Sequence, residues 1–286
     1  MSATSAGSGG PGEAVLALSR IDEVAAAVTR ARSACTELRW HNALRKRIPE
    51  AAAEATVRAA RSSAALEGAR YPTNFVREVI AGREVPDDLS GTQLAAAVRV
   101  AAYAAELSAQ AHPLRGGLLR VLSTMSVAAG AGLVDDDRLG RPRLGDEMPG
   151  DLGGLPAPPP PAEVVDRLRA LEDILAEEAL PGLVVAALLH GEILALRPFA
   201  VGNGLIARAL FRIHLVTSGV DPTGVAVPEA AFLDDATGYG QAGNAYAAGR
   251  DVPGFIVSCA QAVEKGAGEG QAICRAVQAG RLPRSA

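Results

Sequence analysis

The sequence predicts an all-α protein, and three observations carry that prediction. The 286 residues are 49% hydrophobic but only 3% aromatic, so the aromatic side chains that favour strands are scarce. Ala, Leu, Arg and Glu are abundant instead, and all four are strong helix formers. No stretch alternates apolar and polar residues for long enough to build a sheet. The charge balance narrows the function classes. With 28 Lys+Arg against 32 Asp+Glu the formal net charge is −4, and Lys46 and Lys265 are the only lysines. Such a chain has no bulk basic field, so no nucleic-acid partner is expected. The run Leu180 to Leu196 comes closest to a membrane span but is interrupted by His190 and Glu192. A span needs about 18 apolar residues, so no membrane partner is expected. Cys35, Cys259 and Cys274 fit no metal-ligand spacing, and the N-terminus has no basic stretch followed by an apolar core. A cytoplasmic, reduced protein is the expectation.

Residues 1–12 are rich in Ser, Gly and Pro and read as a disordered tail. Residues 13–90 read as an N-terminal helical segment. Periodicity runs from Glu13 through Val15, Leu16, Leu18 and Ile21, and a second helix covers about Asp22 to Lys46. Pro49 suits the first position of a third helix, which runs through Ala-rich turns to Glu67. Gly68 then supplies a left-handed stop, with Pro72 just beyond.

Residues 91–286 read as the core. Helices are expected at about 91–111, opened by Ser90, and at about 114–131. From Val134 to Pro161 the chain is rich in Gly, Pro and Asp, which predicts an extended loop with a short β-hairpin near Arg141–Gly145. The run Pro158–Pro161 reads as a stiff polyproline spacer. Helices resume at about 162–178, with Val164, Leu168, Leu171 and Ile174 on one face. The next, at about 181–195, is apolar nearly all round and reads as the buried central helix. A loop at 197–204 leads into a helix at about 204–218, and further helices are expected near 228–248, 252–267 and 269–280.

The segment that carries chemistry is Arg197-Pro198-Phe199-Ala200-Val201-Gly202-Asn203-Gly204-Leu205-Ile206-Ala207-Arg208. It joins two buried helices by a tight turn. Gly202 and Gly204 allow backbone angles and close approaches closed to other residues. Free N–H groups at the start of the next helix, together with the helix dipole, make an anion site suited to phosphate. Arg208 lies one turn further on and can reach back. On these residues alone, a plain glycine turn between helices is the competing reading.

This segment resembles the Fic motif of the Fido superfamily, His-x-Phe-x-Asp/Glu-Gly-Asn-Gly-Arg-x-x-Arg. Phe199, Gly202, Asn203, Gly204 and Arg208 match five of its eight fixed positions, and Pro198 matches the usual His-Pro-Phe form. The resemblance covers about residues 40–280. It implies an all-α Fido fold, whose characterised members mostly transfer AMP from ATP to a protein hydroxyl. It implies that the hairpin near 141–145 is the target-binding flap and that Phe199 anchors the loop in the core. Ser63-Ala64-Ala65-Leu66-Glu67-Gly68 also resembles the family's inhibitory helix motif, Ser/Thr-x-x-x-Glu-Gly/Asn. The resemblance implies a pair between Glu67 and Arg208 that blocks productive placement of a nucleotide's γ-phosphate. An ordinary helix end is the alternative.

The departures from the motif fall on its chemistry. Arg197 stands where the family has its general-base His, and a guanidinium stays protonated at physiological pH. Val201 stands where an acid would hold Mg²⁺, and it offers no oxygen to a hard cation, so no metal site is expected. Leu205 replaces the first phosphate-gripping Arg. His190, Glu192 and His214 lie nearby, but each reads more simply as structural, and none is defensible as a replacement base. Arg197 either joins Arg208 at the glycine turn or turns away, to solvent or to an acidic neighbour such as Glu192. The expected anion- or nucleotide-binding set is Gly202, Asn203, Gly204, Arg208 and Arg197, with Ser63, Glu67 and Gly68 as the inhibitory-type set.

The resemblance with these departures implies a degenerate Fic-like protein. It would be a pseudoenzyme that binds a small anion, a nucleotide or a protein partner, does not transfer AMP, and needs no cofactor. Two alternatives stay open. One is a nucleotidyl- or phosphotransferase of altered chemistry. The other is an interaction module without ligand, taking an extended peptide along the flap at 141–145 by strand addition.

Overall fold

A computed structural model describes residues 10–150, 152 and 154–282. Among them the chain forms α1 (Pro11–Ser19), α2 (Asp22–Arg39), α3 (Ile48–Leu66), α4 (Thr73–Ile80), α5 (Leu89–Ser108) and α6 (Leu118–Gly130). After a long loop follow α7 (Pro161–Ala176), α8 (Gly182–Leu196), α9 (Asn203–Thr217), α10 (Pro228–Asp234), α11 (Ala236–Ala247) and α12 (Val252–Gln278). The all-α class read from composition and periodicity is what the chain adopts.

The helix α8 is buried from Leu183 to Leu196 except for part of Glu192. It packs on α9, α11 and α12, while α9 also packs on α5, and α3 on α5 and α10. The joint between α8 and α9 therefore sits in the middle of the protein. Alanines make this close packing possible. Ala55, Ala59, Ala60 and Ala64 of α3 and Ala96, Ala97 and Ala104 of α5 are buried where larger residues would hold the two helices apart.

Several boundaries differ from expectation for identifiable reasons. Residues 1–9 of the expected tail lie outside the described residues. Pro11 and Gly12 already belong to α1, with Pro pre-set for a first helical turn. The second helix stops at Arg39 and gives way to a 3-10 turn, Asn42–Arg45, in which the His41 Nδ1 accepts from Ala43 N–H. Asp88, not Ser90, caps α5, its Oδ1 accepting from Gly91 N–H at 2.7 Å. The short α4 was not expected.

The two expected C-terminal helices are one, α12, which runs unbroken through Gly268; the glycines on either side of it, Gly266 and Gly270, are contact points. A Cβ on Gly266 would stand 2.6 Å from Pro228 N, and one on Gly270 would stand 2.7 Å from Leu38 Cδ2. The hairpin near Arg141–Gly145 does not form, and there is no strand among the described residues. Pro142 has no N–H to give. Arg143 N–H donates instead to Pro198 O at 2.8 Å, and Gly150 N–H to Ala200 O at 2.7 Å. The loop is fastened to the α8–α9 joint by these two bonds.

Candidate functional site

The joint itself is held by its polar residues. Arg197 ends α8 in the left-handed conformation (φ 40°, ψ 64°), its N–H donating to Ile193 O. Gly202 enters α9 with φ 78°, and a Cβ there would stand 2.5 Å from Ala129 Cβ, so glycine is required by both angle and space. Asn203 closes the loop. Its Oδ1 accepts from Phe199 N–H at 3.0 Å and its Nδ2 donates to Phe199 O at 2.9 Å. Phe199 is buried in the core, in the anchoring position expected of it.

Two distant segments meet at the first turn of α9. Gly68, with φ 101°, ends α3 just beyond Glu67, which caps the helix. Arg208 projects from α9 toward that end. Its Nη2 donates to Glu67 Oε1 at 2.7 Å and its Nε to Ser63 Oγ at 3.0 Å. The guanidinium is 2% exposed and the carboxylate 14%. Glu67 Oε1 also lies 2.4 Å from where a Cβ on Gly204 would stand. The carboxylate thus rests on the N-terminal turn of α9, where N–H groups and the helix dipole favour negative charge.

Behind Arg208 the polar contacts continue into the core. Tyr239 of α11 interacts with Arg208 and lies 2.8 Å from His190 Nε2, and Cys259 Sγ is 3.8 Å from His190 Nδ1. The His190 ring is packed among Phe211, Phe232 and Phe255. Burial, with the charge of Arg208, holds His190 well below the usual histidine range. Burial pushes the Tyr239 hydroxyl up to about 12, although Arg208 pulls the other way. His190 is a neutral core residue here.

The other expected residues separate. Arg197 is 4% exposed, and its guanidinium donates to Leu152 O and Pro156 O in the loop before the proline run. It turns neither to solvent nor to Glu192. Glu192 instead binds Arg167, at 2.7 Å, and the Tyr246 hydroxyl, at 2.9 Å. Val201 packs its methyl groups beside Gly130 and Gly150. Leu205 is buried and faces Ala97, Val100 and Ala101 across a small void. His214 lies toward the far end of α9, beside a cavity of about 270 Å³ that also receives His112 and Arg115.

One structural residue of the site escaped the sequence reading. Arg143, 3% exposed, donates from Nε to Arg197 O at 2.7 Å and from Nη2 to Leu196 O at 3.2 Å. Its Nη1 donates to Glu147 O and its Nη2 also to Pro159 O. A buried cation thus satisfies the last carbonyls of α8 and ties the 139–160 loop to them. The sequence carries no signal for this beyond an Arg amid Gly and Pro. The expected peptide-binding flap at 141–145 is closed on itself here, with Arg141 paired to Glu147 at 2.8 Å. That pair holds the Glu147 carboxyl down at about 2.

Among the described residues, no group of three or more His, Cys, Asp or Glu side chains is placed to hold a metal ion. No helix among them is long and apolar enough to cross a membrane.

Residues 133–215 match the model of the Fic/DOC family, a span that begins at the loop before α7 and ends within α9. The fold is similar to that of a Fic family protein from Desulfovibrio desulfuricans, with a TM-score of 0.69 and 21% identity over 91% of this chain and 76% of that one. It is similar also to a fragment of Fic-1 from C. elegans, with a TM-score of 0.58 and 19% identity over 91% of this chain and 73% of that one. No curated protein matches the chain in sequence.

Proposed function

We propose that the chain is a non-catalytic Fic-like protein that binds a phosphate-bearing anion at the start of α9, a reading supported by the match of residues 133–215 to the Fic/DOC family and by a fold similar to that of Fic family proteins. Glu67 holds that place until the anion displaces it. The observation that carries the reading is the position of the Glu67 carboxylate, which lies against Gly204 and 2.7 Å from Arg208 Nη2. A carboxylate bound by a helix N-terminus and a buried guanidinium marks a place where a phosphate oxygen would be bound as well. Ser63 and Tyr239 would hold Arg208 in position once Glu67 left.

The absence of AMP transfer is supported by where the departing residues sit. A general base usually contributes about 10²–10⁴-fold. Arg197 donates to two loop carbonyls, Val201 packs between glycines, and Leu205 is buried against α5. No proton acceptor or metal ligand stands at any of these three positions. Isothermal titration with ATP, ADP and AMP, with and without Mg²⁺, tests the reading. Binding is expected to be independent of metal, stronger in Glu67→Gly, and sharply weakened in Arg208→Ala. The absence of binding to all three nucleotides in Glu67→Gly would overturn the anion site. AMP transfer to a protein target by Glu67→Gly would overturn the non-catalytic part.

A further inference from the structure

Across α3 from Ser63 and Glu67 lies a second polar cavity, with a volume of about 330 Å³. Three arginines line it, Arg58 and Arg61 from α3 and Arg77 from α4, together with Ser62, Thr73 and Glu269. Its size sits at the lower end of small-ligand cavities, roughly 300–1,000 Å³. We infer that this cavity is a second anion-binding site, separate from the α9 turn, which takes a phosphate group.

Arg58, Arg61 and Arg77 face two carboxylates, Glu54 and Glu269, so three cations against two anions leave one positive charge. Glu54, 5% exposed, is saturated, accepting from Arg58 Nε at 3.0 Å and from Arg77 Nη2 at 2.9 Å. Glu269 accepts from Arg58 Nη1 at 2.5 Å. The acids thereby fix two guanidiniums in place and leave Arg58 Nη2 and Arg77 Nη1 without a protein acceptor among the described residues.

Arg61 is the cation left over. It forms no ion pair among the described residues, and its Nε donates to Tyr71 O at 3.3 Å. Both of its Nη atoms remain to meet a ligand, the paired-donor pattern with which guanidinium groups take phosphate. Ser62 is a separate indication. It is 1% exposed and lines the cavity, and its hydroxyl forms no hydrogen bond with another described residue. A ligand oxygen in the cavity would give that hydroxyl a partner. Thr73 adds a second hydroxyl at the first position of α4.

The site is tested by titrating the full chain with inorganic phosphate and with glycerol phosphate. Wild type, Arg61→Gln, Arg61→Lys and Arg208→Ala would be compared at neutral pH. Gln at 61 can still donate to the Tyr71 carbonyl while removing the charge, and an unchanged melting curve would establish that it folds. Phosphate binding should weaken about tenfold or more in Arg61→Gln, hold up better in Arg61→Lys, and persist in Arg208→Ala. Tighter binding of the ester than of free phosphate would identify a phosphomonoester as the ligand class, and the reverse would identify phosphate itself. Equal affinity in wild type and a folded Arg61→Gln, or no binding of either probe by wild type, would overturn the site. Loss of binding in Arg208→Ala alone would assign the ion to the α9 turn and overturn this site while leaving the other standing.

Discussion

Glu67 and Arg208 lie 141 residues apart in the chain and meet in an ion pair of 2.7 Å at the centre of the protein. The pair does two things at once. It neutralises a guanidinium that is almost completely enclosed, and it places a carboxylate on the first turn of α9. Removing the acid should therefore destabilise the fold and open the anion site together. Breaking a buried pair from one side costs about 3–5 kcal/mol. Glu67→Ala should fall near the lower end, because Ser63 and Tyr239 still contact the guanidinium. Phosphate should stabilise the variant more than wild type, since only in the variant is the α9 turn open to it. Chemical denaturation with and without phosphate measures both effects, and an unchanged midpoint in Glu67→Ala would show that the pair contributes nothing.

Gly202 should tolerate no side chain. Its φ of 78° disfavours any L residue, and a methyl would stand 2.5 Å from Ala129 Cβ on α6. Strain of about 1 kcal/mol from the backbone adds to about 1–3 kcal/mol of overpacking in Gly202→Ala. Gly204 makes a useful contrast, because it has no left-handed backbone and its obstacle is the Glu67 carboxylate at 2.4 Å. Gly204→Ala alone should displace Glu67. In the Glu67→Gly background only the Arg208 guanidinium, 3.1 Å away, is left to give way, so the cost should be smaller. Melting temperatures of the four variants would separate the two kinds of glycine.

The helices that build this site were legible because their signals are local. The apolar run of α8, the Ala-rich turns of α3 and the stop at Gly68 each follow from a few consecutive residues. The match of Phe199, Gly202, Asn203, Gly204 and Arg208 located the joint for the same reason. What stayed hidden depends on partners far away in sequence. Gly266 and Gly270 look like helix breakers until Pro228 and Leu38 are seen against them. The segment 141–150 looks like a hairpin until its N–H groups are seen to bind Pro198 and Ala200. Arg197 could not be aimed from sequence either, because its acceptors are the carbonyls of Leu152 and Pro156.

Stability should fall as the pH drops from neutral toward 4, through histidine. An unfolded histidine titrates near 6.5. Burial, with the charges of Arg115 and His112, holds His214 down at about 4, and His190 lies well below 6.5. Between those values the unfolded chain binds more protons than the folded one, so unfolding becomes easier as pH falls. The stability is complete above pH 6.5 and declines below it, with His214 alone accounting for roughly 3 kcal/mol by pH 4. Urea midpoints from pH 7 to 4 should show this slope, and His214→Gln should flatten it. A wild-type midpoint that stays level over that range would contradict both assignments.

Arg143 should behave as a structural clamp. Its guanidinium serves the carbonyls of Leu196, Arg197, Glu147 and Pro159 from one enclosed position. A lysine has a single ammonium and cannot reach four acceptors in that geometry. Arg143→Lys should cost about 2–3 kcal/mol, the scale of charged hydrogen bonds lost with their acceptors left buried. Amide exchange should then speed up at Arg143 and Gly150, whose N–H groups bind Pro198 and Ala200, before it does so in α8. Faster exchange confined to α12 would show that the clamp lies elsewhere.

Restoring the family's residues should fail through folding before chemistry is reached. Leu205 is 4% exposed and faces Ala97, Val100 and Ala101 across a void of about 20 Å³. An arginine there lacks room, and the acids near it are already paired, Glu67 with Arg208 and Glu229 with Arg212. An unpaired buried charge with overpacking belongs among the most damaging substitutions, above about 4 kcal/mol. Arg197→His would remove the bonds to Leu152 O and Pro156 O, while Val201→Asp would bring a carboxylate into an apolar contact beside Gly130. The triple variant Arg197→His, Val201→Asp, Leu205→Arg should therefore melt far below wild type. The double variant without the change at 205 should fold and still not transfer AMP. A triple variant that melts like wild type and labels a protein target with AMP would mean that the joint keeps a dormant active site, and that its packing is more adaptable than its burial implies.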